Sequence, residues 1–133
     1  MTDQIDNNIQ KQINAIQFKK LHTFEKRKEE SDKILKKYDD RYPIIVAKSN
    51  DKNAASIPNI DKMKFLVPGD LTIAQFMYVI RKRVKLSPEQ ALWIFTNHGI
   101  PPTSQSIMSI YQTHKDEDGF LYLIYSGDNV FGN

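Results

Sequence analysis

The segment Tyr42-Pro43-Ile44-Ile45-Val46-Ala47-Lys48 constrains this chain more than any other. It is a continuous apolar run of strand length, and Ile and Val favour a pleated backbone. A strand without polar alternation is covered on both faces, so this one reads as the central strand of a sheet. Pro43 holds Tyr42 in an extended conformation and marks the entry. Whatever flanks the run must supply sheet neighbours and cover.

The later residues supply them. Lys62 to Val67 reads as a second strand, stopped by Pro68-Gly69, and its alternating lysines leave one face wet. The stretch Ser49 to Ile60 between the two is a polar loop. Thr72-Ile73-Ala74-Gln75 is a capping box, opening a helix whose stripe is Ile73, Phe76, Met77, Ile80 and Val84. Arg81, Lys82, Arg83 and Lys85 complement the negative end of that helix. Ser87-Pro88-Glu89-Gln90 is a second capping box, starting a short turn before a third strand, Leu92 to Thr96. A short helix from Ser106 to His114 turns Ile107, Ile110 and Tyr111 inward. After the acidic turn that ends at Gly119, residues 120–125 form a fourth strand.

Two basic helical segments precede the first strand. Residues 23–38 form a helix capped by Thr23, with an inner stripe of Phe24, Ser31, Ile34, Leu35 and Tyr38. Glu25, Lys26, Arg27, Lys28, Glu29 and Glu30 make its charged face. In residues 1–17, Ile5, Ile9, Ile13 and Ile16 share one helical face, either as a flexible segment or as a facultative helix that docks. From Tyr42 on, the order is β-β-α-β-α-β. That order predicts an α+β, ubiquitin-like β-grasp fold: a four-stranded mixed sheet with additional N-terminal helices. The first and last strands lie parallel in the middle, and strand two takes an open edge. The chain divides into an extension (1–17), a helical subdomain (18–41), the β-grasp core (42–126) and a flexible tail (127–133).

Composition removes several functions. The 133 residues include no cysteine, so there is no thiolate nucleophile and no Cys-ligated metal. His22, His98 and His114 lack metal-ligand spacing, and neither a Ser-His-Asp set nor a phosphate-cradling glycine loop is present. The chain is not expected to be an enzyme or to hold a metal. No apolar run approaches the ~20 residues that cross a bilayer. Met1-Thr2-Asp3-Gln4 does not resemble a secretory signal, which fits cytosol or nucleus.

The formal charge of +3 conceals an asymmetry. Residues 19–41 are richer in Lys and Arg than in acids. Lys62, Lys64, Arg81, Lys82, Arg83 and Lys85 face Asp70 alone. The C-terminal stretch has Asp116, Glu117, Asp118 and Asp128 against Lys115. A basic front and acidic rear suit oriented encounter with an acidic partner, and equally an ordinary solvated surface. The acidic rear and the lack of an RNA motif argue against nucleic acid. The ending Phe131-Gly132-Asn133 fits either a frayed terminus or a glycyl carboxylate made to be joined to something else.

Six blocks stand in a recognisable order. They are Phe24-Glu25-Lys26-Arg27-Lys28, Lys64-Phe65-Leu66-Val67-Pro68, Asp70-Leu71-Thr72, Val79-Ile80-Arg81-Lys82-Arg83, Pro101-Pro102-Thr103, and Lys115 to Tyr122. With Phe131-Gly132 they resemble the autophagy ubiquitin-like modifiers, the group that includes the GABA-A receptor-associated protein, from about Ile16 to Asn133.

The resemblance implies that a processing cysteine protease removes Asn133, with Phe131 as a recognition side chain. E1-like and E2-like enzymes then join Gly132 to phosphatidylethanolamine. There is no cofactor beyond this covalent lipid, whose two acyl chains give durable anchorage. The chain would be cytoplasmic, and on autophagosome and vacuolar membranes after lipidation.

The resemblance further implies docking of cargo receptors and adaptors that carry an aromatic-x-x-aliphatic motif, by strand addition. The aromatic pocket would use Glu30, Ile34, Pro43, Ile45, Lys64, Leu66 and Phe120. The aliphatic pocket would use Phe65, Val67, Pro68, Leu71, Phe76 and Val79. Arg41, Lys62 and Lys64 would meet acidic flanks. By periodicity alone, Ile45 and Phe76 serve equally as core. Charges at Lys62 and Lys64 also protect an edge strand from aggregation. The chain departs from the family in a longer N-terminus, a slightly longer loop at Ser49–Ile60, Asp39 in place of proline, and Trp93 where phenylalanine is common. The competing reading is a non-conjugated adaptor that binds microtubules or receptors through the basic helices.

Overall fold

The computed structural model describes residues 14–49 and 57–127. The isoleucine stripe at Ile5, Ile9 and Ile13, most of the polar loop, and the tail with Phe131, Gly132 and Asn133 lie outside the described residues. The elements in chain order are α1 (Asn14–Leu21), α2 (Phe24–Lys37), β1 (Arg41–Lys48), β2 (Lys64–Pro68), α3 (Ile73–Val84), β3 (Trp93–Phe95), α4 (Ile107–His114) and β4 (Leu121–Ser126). The sheet order is β2-β1-β4-β3. β1 pairs antiparallel with β2 and parallel with β4, and β3 pairs antiparallel with β4. The mixed β-grasp sheet is therefore as the sequence predicts, with β1 and β4 parallel in the middle and β2 at an edge.

The apolar run in β1 is explained by what lies on its two sides. Ile44 and Val46 join a large core with Ile73, Phe76, Ile80 and Val84 of α3, and with Ile107 and Ile110 of α4. Ile45, between them, points to the other face and joins Phe18 of α1 and Phe120. A period of two therefore holds, but both phases are apolar because helices cover both faces. Phe120, with Tyr122 packed against it, joins the same smaller cluster, while Leu121, Leu123 and Tyr125 of β4 join the large one.

Local signals set the helix ends. Thr72 and Gln75 form the complete reciprocal capping box, with Gln75 N donating to Thr72 Oγ1 at 3.1 Å and Thr72 N to Gln75 Oε1 at 2.9 Å. Thr23 Oγ1 accepts from Lys26 N, and Ser106 Oγ accepts from Ser109 N. At the second capping box only Ser87 N donates to Gln90 Oε1, and a turn results instead of a helix. Arg81 explains how that turn is held, since its guanidinium donates to the carbonyls of Ser87, Pro88 and Gln90. β2 begins at Lys64, so Lys62 precedes the strand, and β3 is shorter than predicted.

Two expectations about α2 need correction. Arg27 is not on a solvated charged face: it is buried, and its Nη1 lies 2.6 Å from Oδ2 of Asp118, itself fully buried. Phe24 and Tyr38 are exposed, not inward. The inward line is Arg27, Ser31 and Ile34, because the facing surface is the polar turn before β4, not an apolar layer.

That turn is tightly satisfied. Tyr122 Oη donates to Asp118 Oδ2 at 2.6 Å, and Phe120 N donates to Asp118 Oδ1 at 2.8 Å. Ser31 Oγ donates to Asp118 O, and Tyr111 Oη to Gly119 O, both at 2.6 Å. Gly119 has φ +89°, and a Cβ there would lie 2.2 Å from Ser31 Oγ, so both conformation and space require glycine.

Candidate functional site

The open edge of the sheet borders a groove. Val46 N donates to Met63 O at 2.8 Å, and Ile44 pairs with Phe65 and Tyr42 with Val67. In an antiparallel ladder alternate residues face the partner strand. Met63, Phe65 and Val67 therefore bond β1, while the N–H and C=O of Lys64 and Leu66 point outward. Pro43 sits opposite Leu66, where no donor is required. No described strand pairs with the outer side of β2. Arg41 Nη1 donates to Leu66 O at 3.3 Å, a bond an incoming strand would replace.

Between this edge and α2 lies an open groove of about 670 Å3. Its walls are Glu30, Lys33, Ile34, Lys37 and Tyr38 of α2, Arg41 of β1, Lys62, and Lys64 and Leu66 of β2. Cations dominate this lining, with Glu30 as its acid, over a floor of Ile34 and Leu66. Lys64 is paired with Glu30. A carboxylate entering here would meet Lys62, Lys33, Lys37 and Arg41, and would compete with Glu30 for Lys64.

The residues expected to form an aromatic pocket gather here in two tiers. Glu30, Ile34, Lys64 and Leu66 line the groove, and the three cations expected at acidic flanks, Arg41, Lys62 and Lys64, line it with them. Pro43 is buried, and Ile45 and Phe120 are each 0% exposed, so these three lie beneath the surface and do not line it.

The aliphatic set is closed. Phe65, Val67 and Phe76 are buried core residues with Leu71 packed against them, and the Phe65 and Phe76 rings meet edge to face at 5.6 Å. Pro68 is half-buried, and Val79 is 39% exposed on the outer side of α3. Lys62 Nζ sits 4.9 Å and Arg83 Cζ 5.8 Å from the centre of the Phe65 ring, so two cations cover that entrance. Arg83 is also held by Asp61 at 3.1 Å.

The charge asymmetry reads differently in three dimensions. Asp116 pairs with Lys19 at 2.7 Å and Asp118 with Arg27, so part of the acidic rear neutralises the basic front inside the molecule. Burial opposes ionisation of Asp116, but the bonds from Lys19 and from Asp118 N outweigh it and hold the carboxyl below its usual range. Burial, reinforced by the bond to Asp118, raises the Tyr122 hydroxyl well above the ordinary tyrosine value. Burial pushes Tyr111 up to about 12.

Among the described residues no group of three or more His, Asp or Glu is placed to hold a metal ion. Nor is any described helix long and apolar enough to cross a membrane. Sequence reasoning missed Phe18, which is buried against Phe120 with ring centres 5.2 Å apart. A lone aromatic in a basic helix gives no stripe, so periodicity had no signal to offer there.

Comparison with known proteins agrees with this architecture. The family model described as "Autophagy protein Atg8 ubiquitin like" matches residues 26–132. Autophagy-related protein 8 of Coccidioides immitis is 56% identical over 116 residues, covering 87% of this chain and 97% of that protein. The protein of the same name from Neurospora crassa is also 56% identical over 116 residues, covering 87% and 93%. The crystal structure of Trypanosoma brucei ATG8 superposes with a TM-score of 0.77 at 47% identity, covering 86% of this chain and 97% of that one. The β-grasp core, the N-terminal helices packed on it and these matches establish that the chain belongs to the Atg8 family of ubiquitin-like autophagy proteins.

Proposed function

We propose that this chain is a modifier conjugated through Gly132 to phosphatidylethanolamine, and that it docks autophagy receptors along β2 while on the membrane. The observation that carries the docking half is the outward-facing backbone of Lys64 and Leu66 beside a cationic groove. Strand addition supplies the main-chain bonds, the groove takes the aromatic residue, and Arg41, Lys62 and Lys64 attract acids beside it. The aliphatic residue enters between β2 and α3 once Lys62 and Arg83 move off Phe65.

Conjugation rests on family membership and on Gly132. A cysteine protease cuts on the C-terminal side of Gly132 and releases Asn133, with Phe131 read beside the cut. E1-like and E2-like enzymes supply the thiols that this chain lacks. The product locates to autophagosome and vacuolar membranes, and the unconjugated form to cytoplasm. The adaptor alternative is weakened because Lys19 and Arg27, on the basic helices, are already engaged by Asp116 and Asp118.

Incubation with the family's protease, conjugation enzymes and phosphatidylethanolamine vesicles tests the first half. A lipidated product with faster gel migration is expected, absent in Gly132→Ala. An equal product from Gly132→Ala, or none from the wild type, would overturn it.

A further inference from the structure

The aromatic groove has two tiers, and the lower one sets its depth. Ile34 lines the groove and also packs against the buried cluster of Phe18, Ile45 and Phe120. Ile45 is the register partner of Lys64, so it lies directly beside the groove wall. Phe120 is held from the far side by the Phe18 ring, edge to face at 5.2 Å, and Met63 and Tyr122 close the remaining sides. Phe18 belongs to α1, a helix of eight residues whose tethers include the ion pair of Lys19 with Asp116 and the stacking of Phe18 on His22 at 4.8 Å.

We infer that Phe18 is a positioning residue for peptide recognition: it supports Ile45 and Phe120 from below, and thereby fixes how deep an aromatic side chain can sit in the groove. The inference rests on the edge-strand reading given above. Interiors are close-packed, so a layer that loses a ring relaxes only in part, and the groups above it sink or loosen. α1 therefore sets the size preference of a groove it does not line. The effect falls on the aromatic position of the ligand alone, because Phe65, Val67 and Phe76 of the aliphatic set belong to the other cluster, across the sheet.

Titration calorimetry of the full chain against acidic-flanked peptides tests this. One peptide carries Trp at the aromatic position and one carries Phe, both with Leu at the aliphatic position. A third carries Ala in place of the aromatic residue. For Phe18→Ala we expect the Phe peptide to lose about tenfold in affinity. The Trp peptide, whose larger ring follows the sunken floor, should lose less, so the Trp-to-Phe ratio rises by roughly threefold or more. The Ala peptide should be unchanged. A purely structural role would weaken all three peptides equally, and an unchanged ratio in a folded variant overturns the inference. Phe18→Leu decides the same ratio if the alanine variant does not fold. If the wild type prefers neither aromatic peptide over the alanine one, the edge-strand reading itself fails and the inference falls with it.

Discussion

The two faces of the sheet are built on different principles. One carries α3 and α4 over a continuous apolar core from Ile44 and Val46 to Leu121, Leu123 and Tyr125. The other carries α1 and α2 over three buried apolar residues and a polar knot around Asp118. Hydrophobic burial is non-directional and tolerates small shifts. A buried ion pair with its hydrogen bonds is directional and adds little net stability, but it holds one geometry. The first face suits a folding core. The second fixes α2 at a set distance from β2, and that distance is the groove.

The largest test of this contrast is Arg27→Ala. It strands the Asp118 carboxylate, fully buried, and should cost about 3–5 kcal/mol. Hydrogen exchange should show α1 and α2 opening before α3. Simultaneous loss of protection in all helices would mean that the two faces are one cooperative unit. Ile80→Ala, at a fully buried position on the other face, should cost about 3 kcal/mol by denaturant titration. Its peptide affinity should stay near wild type, and a large loss of binding in the folded variant would erase the functional distinction between the faces.

Charge reversal at Lys62 and Lys64 acts on the groove alone. It should weaken acidic-flanked peptides about tenfold and reduce their salt dependence, with little change in melting temperature. Unchanged affinity would place docking elsewhere.

The smallest effect concerns Asp116. Its folded carboxyl titrates below the ordinary range, so its contribution is present above the unfolded value of about 4 and is lost as pH falls through the folded value. Protection of α1 amides should decline in that acidic window, and Asp116→Asn should flatten the decline. An identical profile in both would show that Lys19 and Asp116 do not tether α1.

Much of the first face was legible in the sequence. The stripe Ile73, Phe76, Ile80, Val84 and the box at Thr72 are local patterns, and local patterns specify local structure. The second face was not. Arg27 looks solvated beside Lys26 and Lys28, because its partner lies 91 residues away. Phe24 and Phe18 are equally apolar, yet only Phe18 is buried. The pocket residues were placed by resemblance, which gave membership but not depth, and the separation of Ile45 and Phe120 from the lining residues emerges only in three dimensions.

The sequence by itself determined the order of elements, the central place of the Tyr42–Lys48 run and the edge position of the strand after it. Those follow from hydrophobic period, capping chemistry and crossover handedness, all of which act over short distances. Only the tertiary structure decided that the acidic turn before β4 is an internal counterion for the basic helices, and that α1 supports a groove formed by α2 and β2. These depend on side chains brought together across most of the chain length, where desolvation and geometry, not pattern, decide which charges pair and which rings are buried.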